Sequence, residues 1–277
     1  MRDIRIIALD LDDTLLKGDL TISDTNRKAI REAEQSGVYV ILASGRIPFA
    51  MEPYIKALGM DTRMRLCICN NGAEIIRSDT GELVYEAPPI PIELGKEVFT
   101  VVQKEGFPVE LYDGTTIYVS EPNVYTEKDL ILTGTKLKVT NIAQLLERPQ
   151  RKMVIPGDPD ALKRLEAKLK EHFNANIFIS KPYFLEVLSL ETDKGTALSL
   201  IAKHLGIQRD QVLAIGDSMN DLGMIRYAGI GVAMANAVEA IKEAADVVTT
   251  RTNEEDGVAE VIDRFIFSRV TPETCTR

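Results

Sequence analysis

The chain has 277 residues, 27% of them charged and 45% hydrophobic, with a formal net charge of −9. That length allows a sizeable core and two domains. The negative charge argues against a broad nucleic-acid or anionic-membrane surface, while a small anionic partner stays open because one metal ion reverses the local field. No apolar run is long enough to span a bilayer, and the N-terminus meets Asp10 too early for a signal peptide. The expected location is therefore cytoplasmic. Three cysteines, Cys67, Cys69 and Cys275, form no paired framework and suit a reducing compartment. Cys67-Ile68-Cys69 reads as part of a buried strand rather than a metal or redox pair. His172 and His204 fall on expected helices and read as surface or packing residues.

In chain order, the first expected element is a buried strand, Ile4–Leu9, short and rich in β-branched residues. After a turn around Lys17-Gly18-Asp19, Ser23 is expected to cap a helix that runs to about Ser36 and stops at Gly37. Val38–Ala43 is a second strand, ending in Ser44-Gly45-Arg46. A helix then reaches about Leu58, with Pro53 expected to kink it or delay its start. Leu66–Cys69 is a third strand, ending in Asn70-Asn71-Gly72. The last third repeats this grammar. A helix opens at Lys194-Gly195 and ends at Leu205, and the strand Val212–Ile215 ends in Gly216-Asp217. A short helix near Asp221–Tyr227, strands at Ile230–Ala233 and Asp246–Val248, a helix Ala237–Ala245 and a closing helix from about Asp256 to Phe267 complete it. Such alternation implies a parallel sheet covered on both faces.

The middle differs. A possible strand at Leu83–Tyr85 and a helix Ile92–Lys104 precede a hairpin, Val109–Tyr112 with Thr116–Val119 around Asp113-Gly114. Strand Arg151–Ile155, the amphipathic helix Asp160–Phe173 and the strands Ile177–Ser180 and Leu185–Ser189 follow. Helix-then-two-strands, twice, predicts an α+β insert with an antiparallel sheet. The fold class is α/β: a doubly wound, Rossmann-like core (1–82 and 190–277) with an inserted α+β cap (83–189). No low-complexity tract is present, and an unstructured tail is expected only over the last ten or so residues.

The chemistry gathers at strand ends and helix starts, where open parallel sheets bind ligands. Asp10 and Asp12 are two apart, so in an extended chain their carboxylates share one face and repel unless a cation or a shared proton intervenes. Ser44, Lys194 and the run Gly216-Asp217-Ser218-Met219-Asn220-Asp221 stand at equivalent places. Each is weak alone; the ordered set is specific.

On the segments Asp10-Leu11-Asp12-Asp13-Thr14-Leu15, Ala43-Ser44-Gly45-Arg46, Lys194-Gly195 and Gly216–Asp221, the chain resembles the haloacid dehalogenase superfamily. Within it, the chain resembles the Cof-type phosphatases that carry a large α/β cap. The run Thr252-Asn253-Glu254-Glu255-Asp256-Gly257-Val258 also looks typical, whereas Asp13 stands where cap-bearing members usually have Gly. Asp10 and Ser44 are 34 residues apart and Ser44 and Lys194 are 150 apart, so the insert falls after the second motif.

The resemblance implies a phosphatase of small phosphorylated metabolites such as sugar phosphates. Asp10 would be the nucleophile that forms an aspartyl-phosphate, and Asp12 would protonate the leaving alcohol and then take a proton from water. Mg²⁺ would be held by Asp10, the backbone carbonyl of Asp12 and Asp217, with Asn220 or Asp221 in support. Lys194 would neutralise phosphate charge and orient Asp10, and Ser44 with nearby N–H groups would hold phosphoryl oxygens. Gly45, Arg46, Asn71, Gly72 and, from the insert, Glu186 with the loop Lys181-Pro182-Tyr183-Phe184 are further candidates for substrate contact. Simpler readings stand beside these. Asp13 reads as a turn residue, Arg46 as a phosphate ligand or a helix cap, Asn70-Asn71-Gly72 as a plain turn or a substrate-facing loop. Asp221 reads chiefly as a cap that braces Lys194. A dehalogenase would not need Asp12, and an ion-pumping ATPase would need membrane spans. The rival enzyme is a sugar phosphomutase using the same intermediate. A rival of another class is a non-catalytic binding module that keeps the fold.

Overall fold

Runs of Ile, Val, Leu and Ala in the first and last thirds form the strands of one five-stranded parallel sheet. A computed structural model describes residues 3–267; the expected tail and Cys275 lie outside them. The first segment runs β1 (Ile6–Leu9), α1 (Asp24–Gln35), β2 (Tyr39–Leu42), α2 (Pro48–Ala57), β3 (Leu66–Cys69), β4 (Glu74–Arg77) and β5 (Leu83–Glu86). Next come α3 (Ile92–Lys104), β6 (Glu110–Asp113), β7 (Thr116–Val119), α4 (Val124–Thr133), β8 (Lys136–Val139), α5 (Ile142–Leu145), β9 (Lys152–Pro156), α6 (Pro159–His172), β10 (Asn176–Lys181) and β11 (Phe184–Leu188). The chain then returns through α7 (Lys194–His204), β12 (Val212–Gly216), α8 (Leu222–Tyr227), β13 (Ile230–Ala233), α9 (Glu239–Ala244), β14 (Val247–Val248) and α10 (Gly257–Ile262).

The parallel sheet has the order β14-β13-β12-β1-β2, so β1 is flanked by β12 and β2. Its strands alternate between two apolar layers. Ile7, Leu9, Val40, Leu42, Leu213 and Ile215 pack on one face with α1 and α10. Ile6, Ala8, Ile41, Val212 and Ala214 pack on the other with α7. Burial on both faces is what the near-continuous apolar runs require. A bridge between Ala43 and Ile68 joins a second, antiparallel sheet, β3-β4-β5, to this core. Cys67 and Cys69 lie in it as free, fully buried thiols pushed up by that burial.

The insert forms a six-stranded sheet ordered β10-β11-β9-β6-β7-β8, with its own apolar layer under α3 and α6. Helix-then-two-strands occurs twice, as expected, in α3-β6-β7 and α6-β10-β11. The structure departs from the sequence expectation in several places, α4, α5 and β8 among them. The sheet is mixed, because β7 and β8 pair in parallel across the intervening α4. Residues 83–86, placed at the start of the insert, pair instead with β4, so the crossing into the cap follows Glu86. Pro53 does not delay α2, which already starts with Pro48 in its first turn, where a missing N–H costs nothing. Among the described residues, no helix is long and apolar enough to cross a membrane.

Candidate active site

The carboxyl ends of β1, β2 and β12 converge under the cap. β1 hands over to Asp10, whose N–H donates to the Ile215 carbonyl at 3.0 Å. The chain stays extended through Asp12 (φ −70, ψ 123) and turns over at Asp13, at φ 62. Asp12 meets Arg46 beyond the end of β2, whereas Asp10 meets Lys194 at the start of α7. The Asn236 side chain donates to the Asp13 carbonyl at 2.7 Å and holds the turn from outside.

Lys194 is the first residue of α7, behind the N-cap Asp193. Its ammonium is fully buried and donates to Asp10 Oδ1 and Asp221 Oδ1, at 2.6 Å each. Burial alone would lower its pKa, but Asp10 and Asp221 hold it above the ordinary lysine range. Asp221 turns its other oxygen to the Asp217 and Ser218 N–H groups, at 2.9 and 3.1 Å. It therefore braces Lys194 and the loop after β12, as the simpler reading expected. Gly216 makes this possible, since a Cβ there would lie 2.5 Å from the Asp221 side chain.

Asp10, Asp217 and Asp221 form a compact buried cluster. Burial, the charges of Asp221 and Asp12, and only partial relief from Lys194 push Asp10 up to about 7. Asp217 is raised well above the carboxylate range by burial and then by Asp10 and Asp221. A site whose carboxylates resist ionisation in this way suits a cation. Asp10 spends one oxygen on Lys194, and Asp217 spends one on the Thr14 hydroxyl at 2.7 Å, whereas Asp221 spends both. Asp10 and Asp217 thus keep hard oxygen donors for a divalent metal, and Asp221 fits a supporting place.

Asp12 is gripped by Arg46, whose Nε and Nη2 donate to its two oxygens at 2.8 Å each, with Lys181 of the cap at 3.9 Å. Burial pushes Asp12 up, but this fork and Lys181 win and hold it below its ordinary value. Arg46 also donates to the Leu132 carbonyl of α4. It is a strut between Asp12 and the cap, and by taking up a carbonyl of the last turn of α4 it also caps a neighbouring helix. Asp13, read as a turn residue, has the turn geometry and also pairs with Lys181 at 2.8 Å.

Core and cap enclose a cavity whose wall includes Asp10, Asp12, Gly45, Arg46, Glu186, Asp217 and Asn220. Ser44, Asn71, Gly72, Lys194 and Asp221 stand behind that wall. The Ser44 hydroxyl accepts from the Arg46 N–H at 3.2 Å, which leaves its own proton to donate. Asn71 links the two domains: it donates to Glu186 at 2.9 Å and accepts from the Asn220 side chain at 2.9 Å. Gly72 does packing work. Its φ is +99, and a Cβ would sit 2.2 Å from the Asp193 carbonyl. Gly72→Ala should therefore cost about 2 kcal/mol or more and shift Lys194, so that a lower unfolding midpoint accompanies lower activity. Full stability and activity would contradict this reading.

Sequence reasoning missed Tyr112, Asp129 and Lys152, which also line the cavity. The available signal was alternation: Glu110-Leu111-Tyr112 and Lys152-Met153-Val154-Ile155 put polar groups on one face of strands that already had an apolar one.

A family model for haloacid dehalogenase-like hydrolases matches residues 7–262. The chain is 32% identical over 266 residues to the 5-amino-6-(5-phospho-D-ribitylamino)uracil phosphatase YcsE of Bacillus subtilis (strain 168), a match spanning 96% of this chain and 97% of that protein. A solved haloacid dehalogenase-like hydrolase from Bacteroides thetaiotaomicron superposes with a TM-score of 0.81 at 36% identity, over 94% of this chain and 99% of that one. A subclass IIB sugar phosphatase superposes with a TM-score of 0.83 at 26% identity, over 94% and 98% of the two chains. With the buried aspartate cluster at the ends of β1 and β12 and a cap inserted after the second motif, the chain belongs to the haloacid dehalogenase-like hydrolase family, in its Cof-type, cap-bearing branch, and is a phosphoric monoester hydrolase.

Proposed function

We propose that the protein is a Mg²⁺-dependent phosphatase of small phosphorylated metabolites, sugar phosphates or similar, acting through an aspartyl-phosphate on Asp10. The observation that carries this reading is the Asp10 carboxylate itself: it lines the cavity, is oriented by Lys194 and lies beside Asp217. Phosphate ester hydrolysis needs a very large barrier reduction, and splitting it into two displacements at Asp10 supplies part of it. Mg²⁺ would be held by Asp10, Asp217 and the Asp12 carbonyl, with Asn220 and Asp221 in support. Bound there, it would supply the positive charge that lets a carboxylate approach a phosphate.

The remaining steps belong to side chains. Lys194 fixes Asp10 and offsets charge at the reacting centre. Ser44, Gly45 and Arg46 receive the phosphoryl oxygens. Asp12 gives its proton to the leaving oxygen and later takes one from the attacking water. The Arg46 fork favours the ionised form of Asp12. A bound phosphate competes for that guanidinium, and Asp12 is freed to carry its proton as substrate arrives. Asn71, Gly72 and Glu186 would complete the substrate side, Asn71 and Gly72 by positioning. The cap, entered after Glu86, excludes bulk water. The free thiols of Cys67 and Cys69 support a reducing, cytoplasmic setting.

Incubation with Mg²⁺ and hexose phosphates tests the reaction class. Net inorganic phosphate, lost on chelation of the metal, is the expected result. Isomerised sugar phosphate without phosphate release would assign a mutase instead, and no turnover of any phosphate ester would assign a binding module.

A further inference from the structure

The cap sheet turns toward the core a polar face that its own packing does not need. On the far face, Leu111, Met153, Ile155, Leu185 and Val187 are sealed beneath α3 and α6. On the near face, Glu110, Val154 and Glu186 stand in one row across β6, β9 and β11, with Tyr112 and Lys152 on the same side. α4 lies against this face and adds Asp129, whose carboxylate accepts from the Tyr112 hydroxyl. Asp129, Glu186 and Lys152 keep only 5%, 5% and 7% of their surface, yet all three line the cavity opposite Asp10.

The charges on this wall are unequal in availability. Lys152 donates to the Gly45 carbonyl at 2.9 Å, lies 3.8 Å from Glu186 and covers the Tyr112 ring at 4.5 Å. Lys181 is held by Asp13 and Arg46 by Asp12. Every cation that lines the cavity is thus already paired, while six carboxylates line it: Asp10, Asp12, Asp13, Asp129, Glu186 and Asp217. The carboxylates toward the core face the metal and phosphate; Asp129 and Glu186 face whatever the phosphate is attached to. Each gives one oxygen to a protein donor, Tyr112 or Asn71, and keeps acceptor capacity for a ligand hydroxyl.

We propose that Tyr112, Asp129, Lys152 and Glu186 form the leaving-group subsite, and that it selects an uncharged, hydroxyl-bearing leaving group while rejecting one that carries a second anionic group. This rests on the phosphatase reading above and names its substrate class. The carboxylates accept from ligand hydroxyls and the Lys152 ammonium donates to them. A second anion meets Asp129 and Glu186 with no unpaired cation to neutralise it, so rejection comes from repulsion and selection from hydrogen bonding. Behind Asp129, the fully buried Glu110 is held well above the carboxylate range by burial and by Asp129, and Asp129 is itself raised, chiefly by burial, with Lys152 and Tyr112 working against that rise.

The test uses the full chain with Mg²⁺ and two linear substrates of one skeleton, glucitol 6-phosphate and 6-phosphogluconate, which differ by a hydroxymethyl against a carboxylate. The wild type should favour glucitol 6-phosphate in kcat/KM by about thirtyfold or more. Asp129→Asn should move the two in opposite directions, lower for glucitol 6-phosphate and higher for 6-phosphogluconate, narrowing the ratio by about tenfold. Partial misfolding scales both alike and so cannot produce that crossing. Tyr112→Phe, a milder change, should raise KM for glucitol 6-phosphate more than it lowers kcat. Equal or better turnover of 6-phosphogluconate by the wild type overturns the proposal, as does a ratio that Asp129→Asn leaves unmoved. So does hydrolysis of p-nitrophenyl phosphate without hydrolysis of glucitol 6-phosphate, which leaves the phosphatase reading standing. Failure to release phosphate even from p-nitrophenyl phosphate overturns both.

Discussion

Asp10→Asn should abolish Mg²⁺-dependent phosphate release, lowering kcat on an aryl phosphate by about four orders of magnitude or more. The substitution is nearly isosteric, and Lys194 keeps Asp221 as a partner at 2.6 Å, so the fold has little reason to change. What is lost is the anionic nucleophile and one hard donor for the metal. An amide oxygen neither attacks phosphorus usefully nor holds a divalent cation as a carboxylate does. An unchanged unfolding midpoint alongside the loss of turnover would place the defect in chemistry. Near-normal activity would remove Asp10 from the role of nucleophile.

Lys194→Met should be the most damaging single change to stability and activity together. The ammonium is wholly buried and satisfies two carboxylates at once, so its removal leaves Asp10, Asp217 and Asp221 clustered without their internal counter-charge. Breaking a buried pair from one side costs about 3–5 kcal/mol. The pH dependence has a definite sign. Asp10 already has a folded-state pKa near 7, above its unfolded 3.8, and loss of Lys194 pushes it higher. A carboxyl raised on folding favours the native state when protonated, and that contribution is lost as pH rises through the folded value. Without metal, the variant's deficit against the wild type should therefore widen as pH rises above 7 and stay level below it, where Asp10 is protonated in both native states. Denaturant midpoints across that range would show it. A flat difference between the two proteins would mean that Lys194 does not hold the cluster together. Added Mg²⁺ should restore part of the stability without restoring turnover, because a metal neutralises the cluster but does not orient Asp10.

The parts of this site that were readable in sequence share one property: each follows directly from a local pattern. Asp10, Ser44 and Asp217 end apolar runs, and Lys194 begins a helix behind an Asp cap. The sheet's alternating layers were implied by the same runs. What was unreadable depends on partners far apart in the chain. Glu186 meets Asn71 across 115 residues, and Lys152 reaches the Gly45 carbonyl across 107. α4 was missed because its buried side is polar, with Thr126, Asp129 and Thr133 facing inward where a helix pattern wants apolar residues. β8 was missed because all four of its residues are exposed. Its parallel pairing with β7 is set by where α4 can lie, not by any feature of Lys136–Val139.

The two domains keep separate apolar interiors, one under α3 and α6 and the others on the faces of the parallel sheet. The contacts between them that surround the cavity are polar: Lys181 to Asp13, Arg46 to Leu132, Lys152 to Gly45, Asn71 to Glu186 and Ser218 to Ser180. Substitutions on the inward face of the cap therefore alter recognition without disturbing either interior. Inheritance can revise the reader while the chemistry beneath it is copied unchanged, and one scaffold can diversify in what it accepts at little risk to its ability to fold.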